Sequence, residues 1–342
     1  MKNINILGIE SSCDDTSAAV IQNGVLKSNL IANQKVHEKY GGVVPEIASR
    51  EHQKNIIPVV DQALKQANID KNEISAIAFT QGPGLKGSLL VGNSFAKGLS
   101  LGLKKPLIEV NHIHGHILSS FIIENEEEKI PNFPFICLVV SGGHTQFFYV
   151  EDYFKIKMIG TTLDDAAGET YDKAAKMMNL DYPGGPIIDK HAQKGDYDKF
   201  TFTIPNVKNF DFSFSGIKTN ILYFLNKNTI KNKNFIKNNI HDLCASIQHT
   251  INKYLILKLG KTLLKYDTND ICVTGGVAAN SDLRKKLYTL CKNNNKELHL
   301  PPVKFCTDNA AMIANIGYYK FLNKNFADQN SIAKSRQNIK EI

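Results

Sequence analysis

The sequence predicts an α/β protein built as two related lobes, and three features of the chain carry that expectation. At 342 residues it is too long for one ordinary core. An apolar run, a small polar turn and a second apolar run occur near the start and again about 130 residues later, as a duplicated lobe would produce. Elsewhere apolar runs enter glycine-rich bends and then helical stretches, the order of strand, bend and helix that α/β folds use.

Taken in order, Ile4 to Ile9 is apolar, Glu10 to Thr16 is a polar turn, and Ser17 to Ile21 resumes the apolar run, which is the pattern of a β-hairpin. Ile74 to Thr80 reads as a strand feeding Gly82-Pro83-Gly84 and a helix from about Ser88 to Leu103. That bend suits an anion, but it lacks the Gly-Lys-Ser/Thr ending of a P-loop, so the signal is weak by itself. The acidic stretch Glu124 to Lys129, followed by Pro131 and Pro134, marks an expected lobe boundary. Phe135 to Val140, the turn Ser141-Gly142-Gly143-His144-Thr145 and Gln146 to Val150 repeat the hairpin. The two turns are expected to face each other across a cleft and to offer amides and hydroxyls to phosphate oxygens. Asp165, Glu169 and Asp172 fall at i, i+4 and i+7 of one expected helical face, ahead of Pro183-Gly184-Gly185-Pro186. Ile271 to Thr274 reads as a buried strand entering Gly275-Gly276, with Asn280 near a helix start, another place where backbone approaches a nucleotide.

Composition bounds the rest. No segment reaches the roughly eighteen uninterrupted apolar residues of a membrane span, and the start of the chain leads into a short strand instead of a secretory apolar region. A soluble, cytoplasmic protein with no membrane partner is expected. The six cysteines include no CxxC pair, which fits reduced thiols better than a disulfide framework or zinc ribbon. The net charge of +8 permits a polyanionic partner. Part of that excess lies in the Asn/Lys run from Asn226 to Asn234, which reads as a solvated face.

His112 and His116, in Asn111-His112-Ile113-His114-Gly115-His116, are four residues apart, so a helix points both imidazoles the same way. Alone, such a pair suits chance surface or core histidines better than ligands. Two histidines fill only part of a metal's shell, and Asp308 in Cys306-Thr307-Asp308-Asn309 is the best candidate for the missing carboxylate. His114 is expected to point away from that face and to play a structural or surface role.

Those motifs form a longer series. Glu10-Ser11-Ser12-Cys13-Asp14-Asp15-Thr16, Pro45-Glu46-Ile47-Ala48-Ser49-Arg50, Gly82-Pro83-Gly84-Leu85, His112 with His116, Ser141-Gly142-Gly143-His144-Thr145 and Asp164-Asp165-Ala166-Ala167-Gly168-Glu169 come first. Phe212-Ser213-Phe214-Ser215-Gly216, Gly275-Gly276-Val277-Ala278-Ala279-Asn280 and Cys306-Thr307-Asp308-Asn309-Ala310-Ala311 complete it. In this order and over nearly the whole chain, the series resembles the TsaD family, tRNA adenosine threonylcarbamoyltransferases once labelled O-sialoglycoprotein endopeptidases. The family usually has Glu where this chain has Asp15, which leaves the acidic function with a shorter reach.

The resemblance implies a two-lobed actin-like, sugar-kinase-type fold with duplicated mixed sheets. The lobes are expected at 1–131 with 309–330 and at 132–308, with a polar tail at 331–342. It implies transfer of a threonylcarbamoyl group from threonylcarbamoyl-AMP to N6 of the adenosine 3′ of the anticodon, in tRNAs reading codons that begin with A. One divalent metal on His112, His116 and Asp308 is implied, iron(II) first and zinc(II) second, since this donor set suits both. Val139, Val140, Ser141, Gly142 and Gly143 are expected at the donor, with Asp172, Gly185, Asp189 and Asn280 around the adenylate's ribose and base. Asp14 is the candidate catalytic residue, assisting proton removal from the amine, with a turn-stabilising contact as its alternative role. His144 is expected behind the ligands instead of among them. A dimerising TsaB-like paralogue and a TsaE-like ATPase are the implied protein partners.

Three other readings compete. A metal-dependent glycoprotein endopeptidase would normally carry a glutamate directly after the first histidine, where this chain has Ile113. A non-catalytic nucleotide-binding scaffold would resemble actin-like paralogues, which lack the paired histidines. A sugar kinase would need a carboxylate beside a sugar pocket, and the sequence identifies none.

Overall fold

The computed structural model describes residues 3–337. It divides into two compact units, the first combining residues through Pro131 with those from Thr307 onward, the second running Asn132–Cys306.

The first unit holds β1 (Asn5–Glu10), β2 (Thr16–Gln22) and β3 (Val25–Ala32), then helix α1 (Pro45–Ala67), β4 (Ala76–Gly82), α2 (Lys86–Leu103), β5 (Leu107–Asn111) and the short α3 (His112–Ile117). The second holds β6 (Phe135–Val140), β7 (Thr145–Asp152), β8 (Lys155–Thr161), α4 (Ala167–Met177), α5 (Gly184–Ala192), α6 (Ser215–Lys231), α7 (Phe235–Asn238) and α8 (Ile240–Lys265). It continues through β9 (Asp270–Thr274), α9 (Ser281–Asn293), β10 (Glu297–His299) and α10 (Val303–Cys306). The chain then returns to the first unit as α11 (Ala310–Leu322).

Both sheets have five strands and the same order. In the first it is β3-β2-β1-β4-β5 and in the second, read from the other edge, β8-β7-β6-β9-β10. In each, the opening strands form an antiparallel meander and the fourth strand lies parallel to the first, so the duplication read from the hairpins extends to the whole sheet. The central strands β1, β4, β6 and β9 are buried on both faces, which is why they read as continuous apolar runs.

Local sequence explains the helices that flank the first sheet. α1 starts on Pro45, whose fixed φ and missing N–H suit a first helical turn, and ends at Asn68 in the left-handed conformation. Its buried residues Ala48, His52, Ile56, Val60 and Ala63 form one stripe at helical spacing. Ile56, Val60, Phe79 and Ala96 then join Leu7, Ile9 and Val20 in the first core. The second core centres on Phe147, Phe212, Phe214 and Tyr254, with the Phe147 and Phe212 rings stacked at 5.2 Å. All six cysteines are free thiols.

Three expectations are adjusted. Asp165 precedes α4 instead of lying on it, because Lys173 and Lys218 hold its carboxylate in the preceding turn, at 3.0 and 2.6 Å. Asp308 falls in the first unit, with the segment leading into α11. The stretch expected as a polar tail is seated on the first unit, Lys334 N–H donating to the Gln81 carbonyl at 2.8 Å and Gly84 N–H to the Ser335 carbonyl at 3.3 Å. The end of that stretch, residues 338–342, lies outside the described residues. No helix among the described residues is long and apolar enough to cross a membrane.

The return of α11 depends on one bare backbone position. A Cβ at Gly8 would sit 2.6 Å from both the Ala310 carbonyl oxygen and the Ala314 nitrogen. Backbone faces backbone there, and neither side has a flexible end that could yield. Gly8→Ala is therefore expected to lower unfolding stability by about 3 kcal/mol, at the upper end for overpacked cores. Urea denaturation with an unchanged m-value checks it, and wild-type stability would show that α11 shifts freely.

Candidate metal centre

The end of β5 positions the histidines. Asn111 caps α3, its side-chain oxygen accepting from Ile113 N–H at 2.8 Å and His114 N–H at 3.2 Å. The helix brings the His112 and His116 rings to a centroid separation of 4.7 Å, edge to face. His114 is buried as well. From the other side, α11 lies against Gly115, and Asn315 Nδ2 donates to the Leu118 carbonyl at 3.1 Å.

Asp308 arrives on the residues before α11. Asn309 caps that helix through Met312 N–H, while Ala310 N–H donates to Ser17 Oγ and Ala311 N–H to Asn29 Oδ1. The first-turn donors that a helix leaves unsatisfied are thus spent on β2 and β3, which fixes Asp308 in place. Its Oδ1 lies 3.1 Å from His116 Nε2 and 3.5 Å from His112 Nε2. Two imidazole nitrogens aimed at one carboxylate oxygen, with all three atoms within 4.8 Å of one another, make a group that could hold a metal ion through an N, N, O donor set. The residues fit a divalent ion of the iron or zinc type.

Behind His112 stands Glu10, whose role local sequence does not reveal. Fully buried at the end of β1, its carboxylate accepts from Ser12 N–H at 2.5 Å and from Thr80 Oγ at 2.7 Å, and it lies 3.1 Å from His112 Nδ1. A carboxylate on the far nitrogen fixes the ring and raises its basicity as a ligand. Burial works to lower the His112 pKa, but Asp308 and Glu10 outweigh it and push it up to about 9. Burial likewise opposes ionisation of Glu10, and the His112 charge reverses that and holds it below the usual range. A charge ending an apolar strand was the available signal. His116 Nδ1 is buried and has no partner among the described residues.

Asp14 and Asp15 follow in the same turn. Burial, then the Asp14 charge, push Asp15 up to about 7, against a hydrogen bond from Asn33 Nδ2 at 2.8 Å.

In the second unit the expected nucleotide residues gather at the ends of β6 and β9, which run parallel with Val139 opposite Thr274. Val139 and Val140 are fully buried and form the floor of the turn. Gly142 and Gly143 are exposed on it. The start of α4 holds that turn, Gly168 N–H donating to the Ser141 carbonyl and Glu169 N–H to the Gly142 carbonyl. Asp172 Oδ1 accepts from Gly184 N–H at 2.8 Å at the start of α5, beside Gly185. Burial raises the Asp172 pKa, with those amides pulling it back. Asp189 accepts from Ser281 N–H and Oγ at the start of α9. Asn280 is joined to Asn252 and Gln248, and Asn252 accepts from Tyr171 of α4. Asp164 receives Ser213 Oγ, Phe214 N–H and Ser215 N–H, which explains the Asp-Asp and Phe-Ser-Phe-Ser motifs as one joint. Asp270, Glu297 and His299 make a second histidine–carboxylate group. There His299 Nε2 lies 2.6 Å from Asp270 Oδ1 and ties edge strand β10 to β9.

Duplicated five-stranded sheets of this order define an actin-like fold, and solved structures agree. HypF in its phosphate- and nucleotide-bound form aligns with a TM-score of 0.61 at 12% identity, over 95% of this chain and 47% of that one. The ROK hexokinase of Thermus thermophilus aligns at 0.52 and 12% identity, over 94% and 99%. Residues 24–315 match the TsaD family model, tRNA N6-adenosine threonylcarbamoyltransferase. The protein of that name from Christiangramia forsetii is 55% identical over 335 residues, 98% of each chain. The chain belongs to the TsaD family.

Two outcomes follow from this geometry. Glu10→Gln keeps the side chain's shape but removes its charge from His112, so metal affinity should fall by about 10- to 100-fold. Competition with a chelator measures it, and an unchanged affinity would show that Glu10 does not support the ligand. Asp15 holds a proton in the folded protein at pH values where the unfolded chain, at the ordinary 3.8, has released it. Stability of the metal-free protein should therefore fall as pH rises from about 4 to about 7. Asp15→Asn should flatten that slope in denaturant titrations, and an identical slope in the variant would reject the assignment.

Proposed function

We propose that this chain, as a tRNA N6-adenosine threonylcarbamoyltransferase, uses threonylcarbamoyl-AMP as donor and works at a divalent metal centre of His112, His116 and Asp308. The acceptor is N6 of the adenosine 3′ of the anticodon in tRNAs reading codons that begin with A. The observation that carries this reading is the aim of both Nε2 atoms at Asp308, backed by Glu10, in a chain of this family.

In the reaction the exocyclic amine attacks the activated carbamoyl carbon. A C–N bond forms, the bond from that carbon to the phosphate oxygen breaks, AMP leaves and the amine loses a proton. The amine's lone pair is delocalised into the purine, so holding the reactants in line matters most and is worth about 7 to 11 kcal/mol in favourable cases. A metal bound at the centre supplies charge stabilisation and orientation for donor oxygens. Asp14, in the turn that follows Glu10, takes up the amine proton, and the neighbouring Asp15, with a pKa of about 7, keeps the turn from carrying full charge. Gly142 and Gly143 offer exposed backbone to the donor, while Gly185, Asp172, Asp189 and Asn280 frame its nucleoside. Iron(II) is the first choice of metal and zinc(II) the second. A TsaB-like paralogue and a TsaE-like ATPase are the proposed protein partners, and the cytoplasm, where tRNA is modified, the proposed location.

Unmodified tRNA incubated with the protein, the adenylate and each partner, read by nucleoside mass, tests the activity. His116→Ala removes a ligand without touching the second unit. Metal content and transfer should each fall by at least about 100-fold while AMP binding persists. Full activity in that variant would take the metal out of the mechanism. Metal-dependent cleavage of proteins, with no tRNA modification under any combination of partners, would replace the transferase reading with the endopeptidase one.

A further inference from the structure

We propose that Lys86, Lys334 and Arg336 form a phosphate-contacting rim beside the metal centre that holds the anticodon arm of the tRNA. The proposal rests on the tRNA-modifying reading above and names the surface that serves it.

The segment from Ser331 to Gln337 is strapped across the Gly82-Pro83-Gly84 bend. Besides the two backbone bonds at Gln81 and Gly84, Ser331 Oγ and Gln81 Nε2 both donate to Glu109 Oε2 at 2.6 Å, and Gln337 Nε2 donates to Gln81 Oε1 at 3.1 Å. Only glycine admits this seat at residue 82, because a Cβ there would lie 1.8 Å from the Lys334 carbonyl oxygen. The bend in turn rests on the first hairpin turn, Leu85 N–H donating to the Ser12 carbonyl at 2.7 Å, and Ser12 Oγ lies 3.1 Å from His112 Nδ1. One bend and one turn therefore separate the strap from a metal ligand.

Lys334 and Arg336 on the strap, and Lys86 at the start of the 18-residue α2, are exposed. None of the three is in an ion pair among the described residues, while the nearby Glu109 carboxylate is spent inside the strap. Lys86 also sits where the dipole of α2 is positive. The turn and the centre carry the carboxylates of Asp14 and Asp308, which offer a polyanion no attraction of their own, so cations close by favour the approach of an acceptor RNA. A strap already pinned by its backbone adds those cations without the ordering cost that a free tail would bring to binding.

Titration of the full-length protein with unmodified tRNA at several salt concentrations tests the rim. Lys334→Gln with Arg336→Gln keeps every backbone bond of the strap and should weaken tRNA binding about tenfold. It should also lower the slope of log affinity against log salt by about two, one for each lost phosphate contact. Lys334→Glu with Arg336→Glu should weaken binding further. In both variants metal content stays at the wild-type level, and turnover at saturating tRNA stays within about twofold. Wild-type affinity and slope in both variants overturn the rim alone, whereas a wild-type protein that binds no tRNA removes the tRNA reading with it. Intact tRNA affinity combined with lost binding of a protein partner also overturns the proposal and gives the rim to an acidic protein surface.

Discussion

The candidate metal centre is assembled because α11 lies directly on the backbone of β1. That approach needs a residue without a Cβ at position 8, and the sequence supplies glycine in the middle of an otherwise apolar strand. Once α11 is seated, its unsatisfied first-turn amides are taken up by Ser17 and Asn29 on the neighbouring strands, and Asp308 is fixed just ahead of the helix. A carboxylate 192 residues away in sequence is thereby delivered to His116. The same helix supports α3 from below through Gly115 and Asn315, so one element positions all three candidate ligands.

Glu10 shows how the sheet and the centre share a residue. Full burial of a carboxylate is expensive, and a single partner seldom repays it. Here the charge is met by the Ser12 amide, the Thr80 hydroxyl and the His112 ring, which together satisfy both oxygens. The group that ends the central strand is therefore also the one that orients the His112 ring, a candidate ligand. Burial of Asp15 a few residues later works the other way, because its principal neighbour is another carboxylate, Asp14.

The second unit makes similar double use of its polar residues. Asp172 and Asp189 satisfy the opening amides of α5 and α9, and Asn280 ties α8 to α9 through Asn252 and Gln248. These bonds fix the positions of the carboxylates and amide proposed to meet a nucleoside. The Ser141 to Thr145 turn is held in the same way, its carbonyls engaged by α4 while Gly142 and Gly143 remain exposed.

Much of this was legible in the chain. Both hairpins, the strand before Gly82, the strand before Gly275 and the helical spacing of His112 and His116 follow from local periodicity, which the backbone imposes whatever the surroundings. The duplicated strand order follows because the same local pattern is written twice. Local pattern misplaced Asp165, because two lysines elsewhere in the second unit hold it in the turn. It left Glu10 without a role, because a carboxylate's partners on β4 and α3 are far apart in sequence. Nor did it show the seat of the strap, which depends on a carbonyl from residue 334 meeting the bare α-carbon of residue 82. Sequence determined which elements form and which residue types could bind a metal. Tertiary structure decided which of those residues meet, since hydrogen bonds and close backbone approach act through space and leave no period in the chain.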